Sequence, residues 1–111
     1  MNINESNRLI AEFMGIKSKT YSDTPCLVHY NFDNTMLTSD RMKYVESWDW
    51  IMPVLYKIDQ LEEVKEISVK VGRTRIWLKD GFIESNSFKE DSILACYKTV
   101  VKFIEDYNSR K

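Results

Sequence analysis

Between Glu66 and Lys79 apolar and polar residues alternate on both sides of a Gly-Arg pair. Ile67, Val69 and Val71 fall on one side of the first run, with Glu66, Ser68 and Lys70 on the other. After the pair, Thr74, Ile76 and Leu78 alternate with Arg75, Trp77 and Lys79. A period of two predicts half-buried strands, here a hairpin near 64–79. Gly72 at the first position of a two-residue loop suits a type II′ turn, which needs a positive φ there. The expected register sets Val71 against Thr74, Val69 against Ile76 and Ile67 against Leu78, so that the apolar residues share one face. The other face then pairs Glu66 with Lys79 and sets Lys70 beside Arg75. Asp80-Gly81 is a second turn signal, and Phe82-Ile83-Glu84-Ser85 adds a third antiparallel strand over 82–85.

Three segments carry the longer period of a helix. Over about 5–14, Leu9, Ile10, Phe13 and Met14 recur at helical spacing and leave Arg8 and Glu12 outside. Asn4 is placed to cap the start, and Gly15 to end it as a left-handed residue. Over about 48–61, Ile51, Val54, Leu55, Ile58 and Leu61 form a buried stripe behind Ser47 as cap. Pro53 lies beyond the first turn and predicts a kink or a late start near Trp50. Trp48 and Trp50 are expected to seal the top of the core. Over about 88–108, Ile93, Tyr97, Val100, Ile104 and Tyr107 are spaced four, three, four and three apart, with Cys96 and Phe103 flanking. Ser87 and Glu90 have the spacing of a capping box. About 20 residues of helix would reach about 30 Å, enough to cross a small sheet.

The segment from Lys17 to Glu46 is harder to read. It is longer than structureless loops usually are, so part of it must be ordered. Alternation at Val28, Tyr30 and Phe32 predicts a short strand near 27–32, Asp33-Asn34 a turn after it, and Met42 with Tyr44 a second extended piece. The order of elements is that of an α+β layered protein, a small antiparallel sheet packed with three helices. A chain of 111 residues suits a single domain over 1–111.

Composition is that of a globular protein, and no apolar run approaches the roughly 20 residues that span a bilayer. The polar start MNINESNR lacks the hydrophobic segment of a signal peptide, so a cytoplasmic location and no membrane partner are expected. Cys26 and Cys96 form no Cys-x-x-Cys pair and are read as unpaired thiols. The net charge of −1 does not mark the whole molecule as a nucleic-acid binder. One stretch departs from this balance: Lys70, Arg73, Arg75 and Lys79 have no acidic residue among them in sequence.

Little in the chain carries catalytic chemistry. Asp23, Cys26, His29 and Asp33 are metal-ligand types, but a strand would turn Cys26 and His29 to opposite faces, and no metal or other cofactor is expected. The run from Asn31 to Leu37 has the outline of the Asp-x-Asp-x-Thr motif of haloacid-dehalogenase-type phosphatases. Asn31 replaces the attacking aspartate, however, and an amide cannot supply a carboxylate nucleophile. No glycine-rich phosphate loop or Gly-x-Ser-x-Gly elbow is present. No catalytic residue is assigned. The candidate site is the outward face of the hairpin: Lys70, Arg75 and Lys79 beside Trp77, with Arg73 at the tip. Cations interleaved with an aromatic suit an acidic protein surface or a phosphate backbone with stacked bases. The alternative is that a helix covers this face too, burying Trp77 and leaving the cations at its rim.

Three segments, LIAEFMG at 9–15, SWDWIMPVLYKID at 47–59 and ACYKTVVKFIEDYN at 95–108, resemble the small phage and prophage proteins grouped as the phage α-β-α sandwich domain. The resemblance is most specific at Trp48, Trp50 and Pro53 and is weak through 17–46. It implies a compact layered fold and a viral or prophage origin, and it transfers no site residue. On analogy of size and origin, the expected function is non-catalytic: a stoichiometric inhibitor of a host defence system, anti-CRISPR-like, binding an RNA-guided nuclease or its guide RNA in the host cytoplasm. The expected partner is a host protein or protein–RNA complex. Direct nucleic-acid binding by the basic hairpin face is the second expectation, and a small nucleotide-acting enzyme the third.

Overall fold

The structure is a computed structural model that describes residues 2–21, 24–32 and 35–110, with backbone alone over 19–21 and 24–28. The fold is α+β, with two three-stranded antiparallel sheets and three α-helices among the described residues. The chain forms two compact units, Met1–Met42 and Lys43–Lys111.

The first unit opens with α1, Ile3–Phe13. Its cap is Asn2, whose Oδ1 accepts from the Glu5 N–H at 3.1 Å, two residues before the expected Asn4. The end follows expectation. Gly15 has φ 75°, its N–H donates to the Glu12 carbonyl, and that of Ile16 donates to the Ala11 carbonyl, the paired bonds of a Schellman motif. The buried face is rotated from the expected stripe. Ser6, Asn7, Ile10 and Ala11 are buried, whereas Leu9, Phe13 and Met14 are only partly so. Asn7 tolerates burial because its Nδ2 donates to the Ser39 carbonyl at 2.8 Å.

The expected strand near 27–32 is the end of β2, Thr24–Phe32, which pairs with β1, Ser18–Tyr21, and β3, Thr35–Leu37. The expected Asp33-Asn34 turn lies outside the described residues. Met42 and Tyr44 are not a strand. They are buried residues of the irregular chain that follows a single 3-10 turn at Ser39–Arg41.

The second unit holds α2, Trp48–Asp59, then β4, Val64–Lys70, β5, Arg73–Leu78, and β6, Gly81–Asn86, and ends with α3, Ser92–Ser109. Helix α2 begins at Trp48 and continues through Pro53, so the late start does not occur. Ser47 stands at its N-cap without a side-chain hydrogen bond, and its carbonyl accepts from the N–H groups of Trp50 and Ile51. Ile51, Val54, Leu55 and Ile58 are buried as expected.

The hairpin register differs from the expected one by two positions. Gly72 is the second loop residue, with φ 76°, and the pairs are Lys70 with Arg73, Val69 with Thr74 and Ile67 with Ile76. A bulge at Lys65 then brings Val64 opposite Leu78. A slip of two preserves side-chain parity, so the apolar residues still share a face. Tertiary bonds fix Gly72 in this place. Its carbonyl accepts from the Ser87 N–H and its own N–H donates to Ser92 Oγ, both at 2.8 Å. The same bonds explain why Ser87 does not cap α3: the chain makes a 3-10 turn at Lys89–Asp91 before the helix starts.

Helix α3 lies against β5 and β6, and α2 against β4 and α3. On the covered face of the sheet, Thr74, Ile76 and Ser85 are buried. They meet a face of α3 that buries Ala95, Cys96, Val100 and Ile104 among others. Thr99 joins the layers: its hydroxyl, with one proton to give, lies 3.0 Å from the Thr74 carbonyl oxygen and 2.8 Å from that of Ala95, and the two share it.

Candidate functional site

Because α2 and α3 cover one face of the β4–β6 sheet, strand alternation turns the other face outward. The pairing sets its side chains in three rows across the sheet: Lys70, Arg73 and Asn86; Ser68, Arg75 and Glu84; Glu66, Trp77 and Phe82. The expected third strand supplies the last column.

Arg75 is the centre of this face. Its Nε donates to Glu84 Oε1 at 2.7 Å, and Nη2 bonds the same oxygen. The guanidinium carbon lies 4.4 Å from the ring centre of Phe82 and 4.9 Å from that of Trp77, within cation–π range of both. The two rings are tilted by 54° with centres 5.2 Å apart. Phe82 is 51% exposed, and Trp77 is half-buried against the cluster. A planar cation held by a carboxylate and two rings has few rotamers left to lose, which reduces the ordering cost of a contact made there.

The five sequence candidates separate on the fold. Arg73, Arg75 and Trp77 come together on β5. Arg73 is the first residue of the strand rather than the tip, with Nε 3.7 Å from Glu84 Oε1. Lys70 is exposed at the end of β4, opposite Arg73 rather than Arg75. Lys79 follows β5 in the turn, exposed and outside the rows, and Glu66 pairs with Trp77 in its place. Two contributors were missed, Phe82 and Glu84. Their alternation with Ile83 and Ser85 after Asp80-Gly81 was the available signal. Glu84 changes the character of the face, since one carboxylate serves both arginines.

The remaining reactive groups lie elsewhere. Burial pushes the Cys96 thiol up to about 11, against a smaller opposing pull from the Thr74 hydroxyl, so thiolate chemistry is suppressed. Burial likewise raises the Tyr44 phenol to about 12; its ring meets Trp50 edge-on at 5.1 Å. In the first unit His29 shares a shallow cleft with Met36, Thr38, Asp40 and Arg41. A hydrogen bond from the Thr38 hydroxyl holds the Asp40 carboxyl below its usual range. Of the four ligand types weighed in sequence, Asp23, Asp33 and the Cys26 side chain lie outside the described residues. Among the described residues no three His, Cys, Asp or Glu side chains are grouped to hold a metal ion, and no helix is long and apolar enough to cross a membrane.

Sheet and site together define an α+β protein with one helix-covered and one open sheet face. Compared with protein-family models, curated proteins and solved structures, the chain matches none.

Proposed function

We propose that this protein acts by binding a protein partner through the outward face of β4–β6, without chemistry of its own. The observation that carries this reading is Arg75, stacked on Trp77 and Phe82 and paired with Glu84. Arginine and tryptophan are the usual anchors of protein interfaces, where packed aromatic area beside fixed charge contributes most of the affinity. The partner that fits presents an apolar side chain to the rings and a carboxylate to Arg73 or Lys70. With the resemblance to phage α-β-α sandwich proteins, the specific proposal is a phage or prophage accessory protein that occludes a host defence complex, such as an RNA-guided nuclease, in the host cytoplasm.

Direct nucleic-acid binding is the second reading, because exposed rings with neighbouring cations can stack bases and meet phosphates. Glu84 weighs against it by offsetting one of the two arginine charges where phosphate would sit.

The test is capture from host lysate by the intact protein, by a Trp77→Ala/Phe82→Ala variant, and by both again at raised salt. Stoichiometric retention of one protein complex by the wild type, lost in the variant with an unchanged circular dichroism spectrum, supports the proposal. Equal retention by both removes the face from consideration. Capture of nucleic acid that falls steeply with salt favours the second reading.

A further inference from the structure

The β4–β6 sheet has two edges, and the chain treats them differently. The loop Val71-Gly72 is closed by Lys70 and Arg73, so along β4 Lys70, Ser68 and Glu66 turn their N–H and C=O groups to β5. Ile67 and Val69 turn theirs away. The same alternation turns those of Phe82 and Glu84 away from β5 on β6. There Lys102 of α3 donates its Nζ to the Glu84 carbonyl at 3.2 Å, a charged side chain held across that edge. On β4, no group among the described residues bonds Ile67 or Val69 from the open side. Glu66, Val69 and Lys70 are exposed, and Val69 shares a shallow groove with Trp48, Val71 and Ile93. An open strand edge with apolar side chains is a template for a further strand.

The order of residues along this edge is its own complement. About Ser68, Ile67 matches Val69 and Glu66 matches Lys70. We infer that β4 is the contact of a homodimer, paired antiparallel with the β4 of a second copy about a twofold axis at Ser68. Ile67 of each copy then faces Val69 of the other, and these are the residues whose backbone groups are open, so each pair exchanges both of its N–H···O=C bonds. On the outward face Glu66 of each copy meets Lys70 of the other, opposite charges directly across the new ladder. Neither side chain is engaged in an ion pair among the described residues. Other axes lose this match. Centred on Val69, the pairing sets Glu66 against Gly72 and Lys70 against Ser68; centred on Ile67, it runs into the bulge at Lys65. The edge is therefore self-complementary in one register, as an isologous interface must be, and with Lys102 across the β6 edge the association closes at two copies. Pairing over 66–70 is short of the roughly 800 Å² per partner of a standard interface, so the dimer is concentration-dependent. The twofold axis stands perpendicular to the sheet and keeps both outward faces on one side. Arg75 lies across from Ser68, so the two Arg75 clusters share one row, three strand spacings or about 14 Å apart. The dimer makes that surface bivalent and does not depend on what it binds.

Sedimentation equilibrium of the full chain from micromolar to millimolar concentration should show a mass rising from 13.2 kDa towards twice that value. Over the same range, amide exchange followed by NMR should show the Ile67 and Val69 N–H groups gaining protection, while those of Ser68 and Lys70, bonded to β5 throughout, stay constant. Val69→Pro removes a donor that β5 does not use, and should hold the protein at the monomer mass with an unchanged circular dichroism spectrum. Should that variant fail to fold, charge reversal reads the same contact. Glu66→Lys makes both cross-strand pairs like-charged and should weaken the dimer about tenfold; adding Lys70→Glu should restore it. A wild type that stays monomeric throughout the series overturns the inference. A dimer whose Ile67 and Val69 amides gain no protection, or one that the double reversal fails to restore, overturns it equally.

Discussion

Replacing Gly72 by alanine tests the part of the fold on which both faces of the sheet depend. Gly72 has φ 76°, and a non-glycine residue there costs about 1–2 kcal/mol. A Cβ at this position would also lie 2.9 Å from the Ser87 carbonyl oxygen, a backbone atom that cannot turn aside. The carbonyl belongs to the residue whose N–H donates to Gly72, so relief of the contact strains that bond and the one from the Gly72 N–H to Ser92. Overpacking of this kind costs about 1–3 kcal/mol. Alanine returns about 0.4–1 kcal/mol by restricting the unfolded chain, which leaves a net loss of about 1–4.6 kcal/mol, centred near 3. At about 4–8 °C per kcal/mol for a unit of this size, the melting temperature should fall by roughly 10 °C or more. Gly81→Ala is the control. A Cβ there has nothing within 4 Å and no positive φ to resist it, so it should be neutral or stabilise by a few tenths of a kcal/mol. Trp48, Trp50 and Trp77 all lie in the second unit, so urea unfolding followed by tryptophan fluorescence reports on this sheet and its helices. Equal stability of the two variants would refute the clamp between the hairpin turn and the start of α3.

Thr99→Val should cost about 1–2 kcal/mol in the same assay, because it removes the hydroxyl bonded to the buried Thr74 carbonyl. Ser85→Ala should cost nothing or stabilise by about 1 kcal/mol, since the Ser85 Oγ is buried without a hydrogen-bond partner. Stability should fall at alkaline pH. Cys96 is raised from 9.0 to about 11 and Tyr44 from 10.0 to about 12, so between those values the unfolded chain loses protons that the folded one keeps. The contribution is fully present below pH 9 and declines above it by up to about 1.4 kcal/mol per pH unit for each group, measurable as urea midpoints from pH 8 to 11. Glu84→Gln should give the outward face a salt-sensitive affinity for single-stranded oligonucleotides that the wild type lacks. Its slope should be about −0.7 in log affinity against log salt for each arginine released, read by fluorescence anisotropy.

Side-chain parity was the most legible property of the sequence. The alternation from Glu66 to Leu78 states which residues face the helices, and that assignment survives a two-position slip because the period is two. The register itself was not legible. In the run Lys70-Val71-Gly72-Arg73 a single glycine fits either loop position by local rules. The choice falls to Ser87 and Ser92, whose positions depend on α3 and are invisible to turn chemistry. The same dependence hid the start of α3: Ser87 and Glu90 have the spacing of a capping box, but the Ser87 N–H is already held by Gly72. Strand β1, Ser18–Tyr21, has too little alternation to be seen without its partner β2. In α1 the apolar period pointed to Leu9 and Phe13, whereas burial follows Asn7, whose amide finds a carbonyl 32 residues away.

The candidate face shows why charge read along a chain is a poor guide to charge on a surface. Lys70, Arg73, Arg75 and Lys79 form an unbroken cationic stretch in sequence and would suit a phosphate backbone. Folding removes Lys79 into a turn and brings Glu84 across from β6 to within hydrogen-bonding distance of Arg75 and 3.7 Å from Arg73. The field that would steer a polyanion is reduced where the rings are, one carboxylate offsetting one of two arginine charges, and screening at physiological salt weakens what remains beyond about 8 Å. What survives is geometric: a guanidinium fixed in plane and aromatic surface partly open to solvent. These favour a partner recognised by shape and short-range contact over one drawn in by charge. Glu84 is therefore the residue that separates the two readings of this face, because it weakens long-range attraction while it holds Arg75 against the rings.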